Sequence, residues 1–377
     1  MSSVPTVDQV QAALATVQDP EIHRPITELG MVDSVTVAPD GRVSVGILLT
    51  TAGCPLRDRI NADVTRAVMA VPGAAAVEIT LGVMSEGQLN DMKTNLRGGR
   101  PEKVIPFAQA DSLTRVYAVA SGKGGVGKSS VTVNLAAAMA ADGLSVGVLD
   151  ADIYGHSVPR MLGIAERPTR VSDMIMPPQA HGVRVISIGM FTKDNQPVVW
   201  RGPMLHRALQ QFLADVWWGD LDVLLMDLPP GTGDMAISVA QLVPTAELII
   251  VTTPQSAAAE VAERAGVIAT QTHQHIAGVI ENMSGLPCPH CGEIIDVFGS
   301  GGGRKVAAGL TRALGVDIPL LGEVPIDLRL REGADEGMPL VLSEPDSAAG
   351  KELRAIAGRL GHRARGLVGR RLGLTPL

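Results

Sequence analysis

The chain has 377 residues, enough for two domains of ordinary size, and 46% of them are hydrophobic, which excludes a chain disordered throughout. Aromatics at 2% argue against a stacking surface for single-stranded nucleic acid, and a net charge of −7 excludes a global electrostatic pull toward DNA or RNA. No nucleic-acid partner is therefore expected. The three cysteines, Cys54, Cys288 and Cys291, are too few and too odd in number for a disulfide framework. The first residues lack a basic region followed by an apolar run, and no apolar stretch has the length of a bilayer span. A cytoplasmic protein without a membrane partner is the expectation.

Residues 1–83 read as a small α/β domain. A helical pattern covers 7–17. Alternating runs follow at 32–37 and 43–49, separated by the turn Pro39-Asp40-Gly41. A second helix is predicted over 55–70, with Pro55 in its first turn, and a last strand over 76–81. Residues 84–113 are polar and without sustained periodicity, and they read as a partly ordered linker. From 114 to 365 apolar strand-length runs recur at 116–120, 146–149, 183–188, 223–226, 248–251 and 276–280. Helical stretches, such as 204–217 and 256–272, lie between several of them. Strands without alternation, separated by helices, predict a mostly parallel sheet flanked by helices. Residues 366–377 read as a tail. The basic segment 354–374 carries five glycines, which disfavour a continuous lipid-binding helix.

Gly122-Lys-Gly-Gly-Val-Gly-Lys-Ser129 fits the phosphate-binding pattern G-x-x-x-x-G-K-[ST], placed after a predicted strand and before a helix. The backbone of Gly122, Lys123, Gly124, Gly125, Val126, Gly127, Lys128, Ser129 and Ser130 is expected to curl its N–H groups around phosphate oxygens. Lys128 would reach the β- and γ-phosphates of ATP and Ser129 would hold Mg²⁺. The run 223–227 ends in Asp227, a carboxylate expected near that Mg²⁺ through water. It leads to Gly231, whose N–H would meet a γ-phosphate and relax on hydrolysis. Asp150 and Asp152 end another run at the same sheet edge, and one of them would orient the attacking water. Together these features predict the fold of P-loop NTPases.

Four motifs in combination carry a resemblance. Lys123-Gly-Gly-Val-Gly-Lys-Ser129, Asp150-Ala-Asp-Ile-Tyr-Gly155, Asp227-Leu-Pro-Pro-Gly-Thr-Gly-Asp234 and Glu281-Asn-Met-Ser284 resemble those of the Mrp/ApbC ATPases, of the deviant Walker A class that includes MinD. The resemblance spans roughly 100–365. Two positions depart from the usual pattern, His156 for proline and Ser130 for threonine, and neither removes an expected ligand. The resemblance implies a homodimer in which Lys123 reaches the partner's nucleotide and stabilises the transferring phosphoryl group. It also implies that Asn282 reads the adenine edge.

Cys288-Pro-His-Cys291 offers two thiolates with metal-ligand spacing, which is half of a tetrahedral set. A two-fold dimer would supply the other half, for either a [4Fe–4S] cluster or Zn²⁺. His290 is read as a bystander. The resemblance implies the bridging cluster. At 7–83, Asp19-Pro-Glu21 and Thr50-Thr-Ala-Gly-Cys54-Pro resemble SufT- and PaaD-like iron–sulfur assembly domains. Cys54 at a helix N-terminus would then be a transient metal or cluster ligand, or otherwise a small capping residue. The leading expectation is an ATPase that carries a cluster to apo iron–sulfur proteins and works with the assembly machinery. A MinD-type positioning ATPase and a zinc-stapled scaffold are the alternatives.

Overall fold

The structure, a computed structural model, describes residues 4–51, 56–96, 104–152, 155–172, 174–191, 202–231, 234–255, 274–288 and 290–361, with Ala269 and Thr272. The chain forms two compact units. One comprises Met1–Val104 with Thr169–Met176, and the other Ile105–Pro168 with Pro177–Leu377.

In the smaller unit, α1 (Val7–Leu14) begins with a reciprocal cap. Gln9 N–H donates to Thr6 Oγ1, and Thr6 N–H donates to Gln9 Oε1. Strands β1 (Val32–Val37) and β2 (Arg42–Leu49) form an antiparallel pair, turning at Gly41 with φ +81°. On β2, Val43, Val45, Ile47 and Leu49 alternate inward toward Val10 and Leu14 of α1 and toward Ile60, Val64 and Val68 of α2 (Arg57–Met69). β3 (Ala76–Val83) pairs parallel with β2, and α2 makes the crossover that such pairing requires.

The segment expected to be a linker contains a helix, α3 (Glu86–Leu96). Its start is a second reciprocal cap: Ser85 N–H donates to Gln88 Oε1 and Gln88 N–H to Ser85 Oγ. A four-residue capping signal, not apolar periodicity, marks this helix.

The larger unit contains β4 (Arg115–Ala120), α4 (Lys128–Ala141), β5 (Val146–Asp150) and the short α5 (Val158–Met161). The hairpin β6 (Thr169–Val171) and β7 (Met174–Met176) follows in the chain but belongs to the smaller unit. Its Val171 and Met174–Met176 are buried. Beyond it come β8 (Gln179–Ala180), β9 (Val183–Ser187), α6 (Gly202–Asp215), β10 (Val223–Asp227), α7 (Asp234–Leu242), β11 (Glu247–Thr252) and β12 (Ile276–Asn282). The chain continues through the small hairpin β13 (Leu286–Pro287) and β14 (Ile294–Ile295), α8 (Gly302–Leu314), β15 (Leu320–Val324), α9 (Leu328–Glu336), α10 (Leu340–Ser343) and α11 (Ala348–Gly361). Most of the segment 256–272 and all of 362–377 lie outside the described residues.

Eight of these strands make one sheet in the order β15-β12-β11-β4-β10-β5-β9-β8. Only the β8–β9 pair is antiparallel. Every residue of β5 and β10 is buried, as expected of central parallel strands covered on both faces. Each buried Val or Leu contributes roughly 1.5–3 kcal/mol. The charged carboxyl edge of the sheet therefore stands on a rigid apolar base. α11 is held at its C-terminal end, where Arg115 donates to the carbonyls of Leu360 and Gly361 and the Tyr117 hydroxyl donates to Leu360. A cation at that end also meets the negative pole of the helix dipole.

Candidate functional site

All the parallel strands end on one edge, and that edge carries the polar residues. The loop 121–127 leaves β4 and enters α4 at Gly127, which has φ +78°. A Cβ on Gly127 would also lie 2.2 Å from Asn282 Nδ2, so glycine is required there by both conformation and space. The loop bounds a cavity of about 210 Å³, whose wall includes Lys123, Gly125, Lys128, Ser129, Asp152 and Ser157.

Asp227 is the hub of the site. It is fully buried at the end of β10, level with Asp150 of β5 in the strand register. Lys128 Nζ lies 2.7 Å from Asp227 Oδ1, and the hydroxyls of Ser129 and Thr132 donate to the same carboxylate at 2.5 and 3.1 Å. Burial pushes the Asp227 carboxyl up, and Lys128 with the two hydroxyls pulls against that push. Lys128 is also 3.9 Å from Asp152 Oδ2.

The two aspartates at the end of β5 occupy different environments. Asp150 is fully buried and accepts from Asp152 N–H and from the Ser187 hydroxyl. Burial, reinforced by the Asp227 charge, raises its carboxyl to about 8. Asp152 lines the cavity and accepts from Gly155 N–H. Of the pair, Asp152 is the one that lines the cavity.

Lys123, half-buried at the cavity wall, donates to Gln255 Oε1 at 2.5 Å. Gly231 N–H is committed to the carbonyl of Ser121 at 2.8 Å. Asn282, at the end of β12, donates through Nδ2 to the carbonyl of Val126 at 2.9 Å. Thr132, Ser187 and Gln255 were not expected at this site. Thr132 lies one helical turn after Lys128, and Ser187 pairs with Asp150 in register, so spacing alone held a signal for both. Gln255 carried none.

The hairpin after β12 presents the cysteine pair. Leu286 pairs with Ile295 and Pro287 with Ile294, Cys288 N–H donates to Glu293 and Gly292 N–H donates to Cys288. Cys288 is half-buried and Cys291 is exposed. The backbone N–H groups of Cys291 and His290, with the Cys291 thiol, hold the Cys288 thiol below its usual range. Among the described residues no group of three or more His, Cys, Asp or Glu could hold a metal ion, so the two thiols stand as a pair. In the smaller unit, Asp19 is buried and accepts from the N–H groups of Glu21 and Ile22. Burial, and then the Asp19 charge, raises the Glu21 carboxyl. Cys54 lies outside the described residues.

A family model described as NUBPL iron-transfer P-loop NTPase matches residues 112–361, the span that holds both the phosphate loop and the cysteine hairpin. The chain belongs to the NUBPL iron-transfer P-loop NTPase family. A second model, described as iron-sulfur cluster assembly protein, matches residues 7–81. Relatives of this iron-transfer NTPase include proteins named iron-sulfur cluster carrier protein. The one from Mycobacterium tuberculosis is 66% identical over 367 residues, covering 97% of this chain and 96% of its own. The one from Deinococcus radiodurans is 44% identical over 355 residues, covering 94% of each. Among solved structures, a nucleotide-binding protein from Archaeoglobus fulgidus in complex with ADP superposes on this NTPase with a TM-score of 0.53. It is 34% identical and covers 64% of this chain and 96% of its own. The expected P-loop NTPase fold and the resemblance to an iron–sulfur carrier ATPase are both borne out.

Proposed function

We propose that the chain is an ATP-hydrolysing carrier that binds a [4Fe–4S] cluster between two copies of itself and transfers it to apo-proteins in the cytoplasm. The observation that carries this reading is a shared sheet edge. The phosphate loop leaves β4 and the two-thiol hairpin follows β12, both at the carboxyl ends of strands in one parallel sheet. Chemistry at the first can therefore be felt at the second.

In ATP hydrolysis, Lys128 exchanges its bond to Asp227 for the β- and γ-phosphates. Ser129 Oγ and the Asp227 carboxylate are hard oxygen donors in hydrogen-bond contact, and they would hold Mg²⁺, Ser129 as a ligand and Asp227 through water. Held there, Mg²⁺ would supply neutralisation of charge on the phosphates. Asp152 orients the attacking water, and Asp150 fixes Asp152 by accepting its backbone N–H. Gly231 N–H turns from Ser121 to the γ-phosphate. Lys123 leaves Gln255 and reaches the partner's nucleotide. Asn282 offers its side-chain oxygen to the adenine amino group. The cargo is held by Cys288 and Cys291 of each copy, four thiolates in all. Cys54, in the assembly-type unit, is a transient ligand on the cargo's way in.

Iron, sulfide and zinc content with the visible spectrum tests this, using anaerobically reconstituted protein beside a Cys288→Ala/Cys291→Ala double variant. The expected result is four irons and four sulfides per dimer, as the [4Fe–4S] formula dictates, lost in the double variant. Zinc alone, or iron retained without both cysteines, overturns the reading.

A further inference from the structure

Asn282 joins the two sites physically. Its side chain is buried and its Nδ2 donates to the carbonyl of Val126 in the phosphate loop. The peptide between Val126 and Gly127 is planar and trans, so its N–H points opposite to its carbonyl. A carbonyl held toward Asn282 turns the Gly127 N–H away from Asn282. The loop there lines the cavity, and backbone N–H groups of such a loop are its phosphate donors. The residue that fixes this peptide thus sits behind the phosphate cradle.

The chain that follows Asn282 is anchored on β15 and α8 and then enters the cysteine hairpin directly. Met283 adopts φ +60°, a left-handed conformation uncommon outside glycine, so the segment turns sharply at once. Ser284 N–H donates to the carbonyl of Val324 on β15, and Gly285 accepts from Ile326 N–H. The Ser284 hydroxyl donates to Glu281 Oε1 at 2.8 Å, while Glu281 Oε2 accepts from Gly303 N–H in the first turn of α8. Gly285, with φ +96°, has Ile294 of the hairpin against it, where a Cβ would lie 2.6 Å from Ile294 Cγ2. One residue further, Leu286 pairs with Ile295, and Cys288 follows. No link in this sequence is a free loop.

We propose that the Glu281-Asn282-Met283-Ser284 segment is a mechanical link by which tilting of the Val126–Gly127 peptide on phosphate binding changes the exposure of Cys288 and Cys291. Asn282 acts as a positioning residue for the thiol pair, in addition to any contact with the base. The link rests on the proposed nucleotide and thiol sites. It predicts that nucleotide state governs the thiols even when no cluster is bound.

The test is the rate of iodoacetamide alkylation of Cys288 and Cys291, resolved by mass spectrometry on reduced, cluster-free full-length protein, with and without saturating ADP and Mg²⁺. Nucleotide binding is measured in parallel with a fluorescent ADP analogue. In the wild type, nucleotide is expected to change the rate by about fivefold or more, the lower end of ordinary coupling between sites. In Asn282→Ala, with ADP still saturating, the ratio is expected to fall to within about twofold of unity. Ser284→Ala touches neither the phosphate loop nor a thiol, and it is expected to give an intermediate ratio. A wild-type ratio retained in both variants overturns the link. So does a ratio of one in wild-type protein that binds ADP. Wild-type protein that binds no ADP at all sinks the proposed function instead, and the link with it.

Discussion

At the end of β5 a buried acid stands beside a second buried acid. Asp150 has no exposed surface, and its carboxyl is raised to about 8 first by burial and then by Asp227. In the unfolded chain the same group would titrate near 3.8. Between those two values the folded chain keeps a proton that the unfolded chain has released. Stability from this group is therefore full below pH 3.8 and is lost as pH rises toward 8. The slope approaches ~1.4 kcal/mol per pH unit in the middle of the window. Asparagine in its place keeps an acceptor for Asp152 N–H and gains a donor for Ser187 without a titrating proton. Melting of nucleotide-free Asp150→Asn is thus expected to vary less with pH than wild type, with the variant gaining relative to wild type from pH 5 to pH 8. Parallel melting curves over that range would show that Asp150 is ionised throughout.

At the scale of elements, a short piece of helix depends on one side chain from another. Asn134 in α4 donates to the carbonyl of Ser130, and its oxygen accepts from the N–H of Val341 in the first turn of α10. That N–H has no partner within its own helix, because the first turn of any helix leaves its donors open. Asn134→Ala would leave it buried and unpaired, at a cost of about 1–3 kcal/mol. Urea unfolding should show a lower midpoint with an unchanged slope. An unchanged midpoint would mean that water replaces the amide. The same contrast explains what the sequence made legible. The apolar runs of β4, β5, β10, β11 and β12 announce themselves because central parallel strands must be apolar on both faces. The phosphate loop and the Cys288–Cys291 pair are legible because their chemistry lies in adjacent residues. β15 is broken in its middle by Gly322-Glu323, which leaves an apolar run of Leu320-Leu321 alone, and it carries no such signal. The bonds Asn134–Val341, Asn282–Val126 and Lys123–Gln255 join residues more than a hundred positions apart, and no local spacing encodes them. The hairpin Thr169–Met176 escaped for the same reason: it lies among the strands of one unit in sequence and belongs to the other in space.

At the scale of the whole molecule the question is whether one copy suffices. Within the single chain Lys123 is half-buried and bonded to the exposed Gln255, while Lys128 is buried against Asp227. Two cysteines likewise supply half of a four-thiolate set. Both features make sense if the working unit is a pair in which each copy completes the other's site. This separates two fates for inactive variants. Lys123→Ala and Lys128→Ala should each lose ATPase activity by about a thousandfold, since each removes positive charge from the transferring phosphoryl group. If Lys123 acts across the interface, a mixed dimer holds one competent site. In that site Lys128 comes from the Lys123→Ala copy and Lys123 from the Lys128→Ala copy. Random mixing makes half the dimers mixed, with one competent site of two, so activity should return to about a quarter of wild type. If Lys123 serves the loop of its own chain, no mixed dimer has a complete site and the mixture stays as inactive as its parts. The first outcome ties hydrolysis to assembly of the pair, and with it to the only arrangement in which four of these thiols can share one cluster.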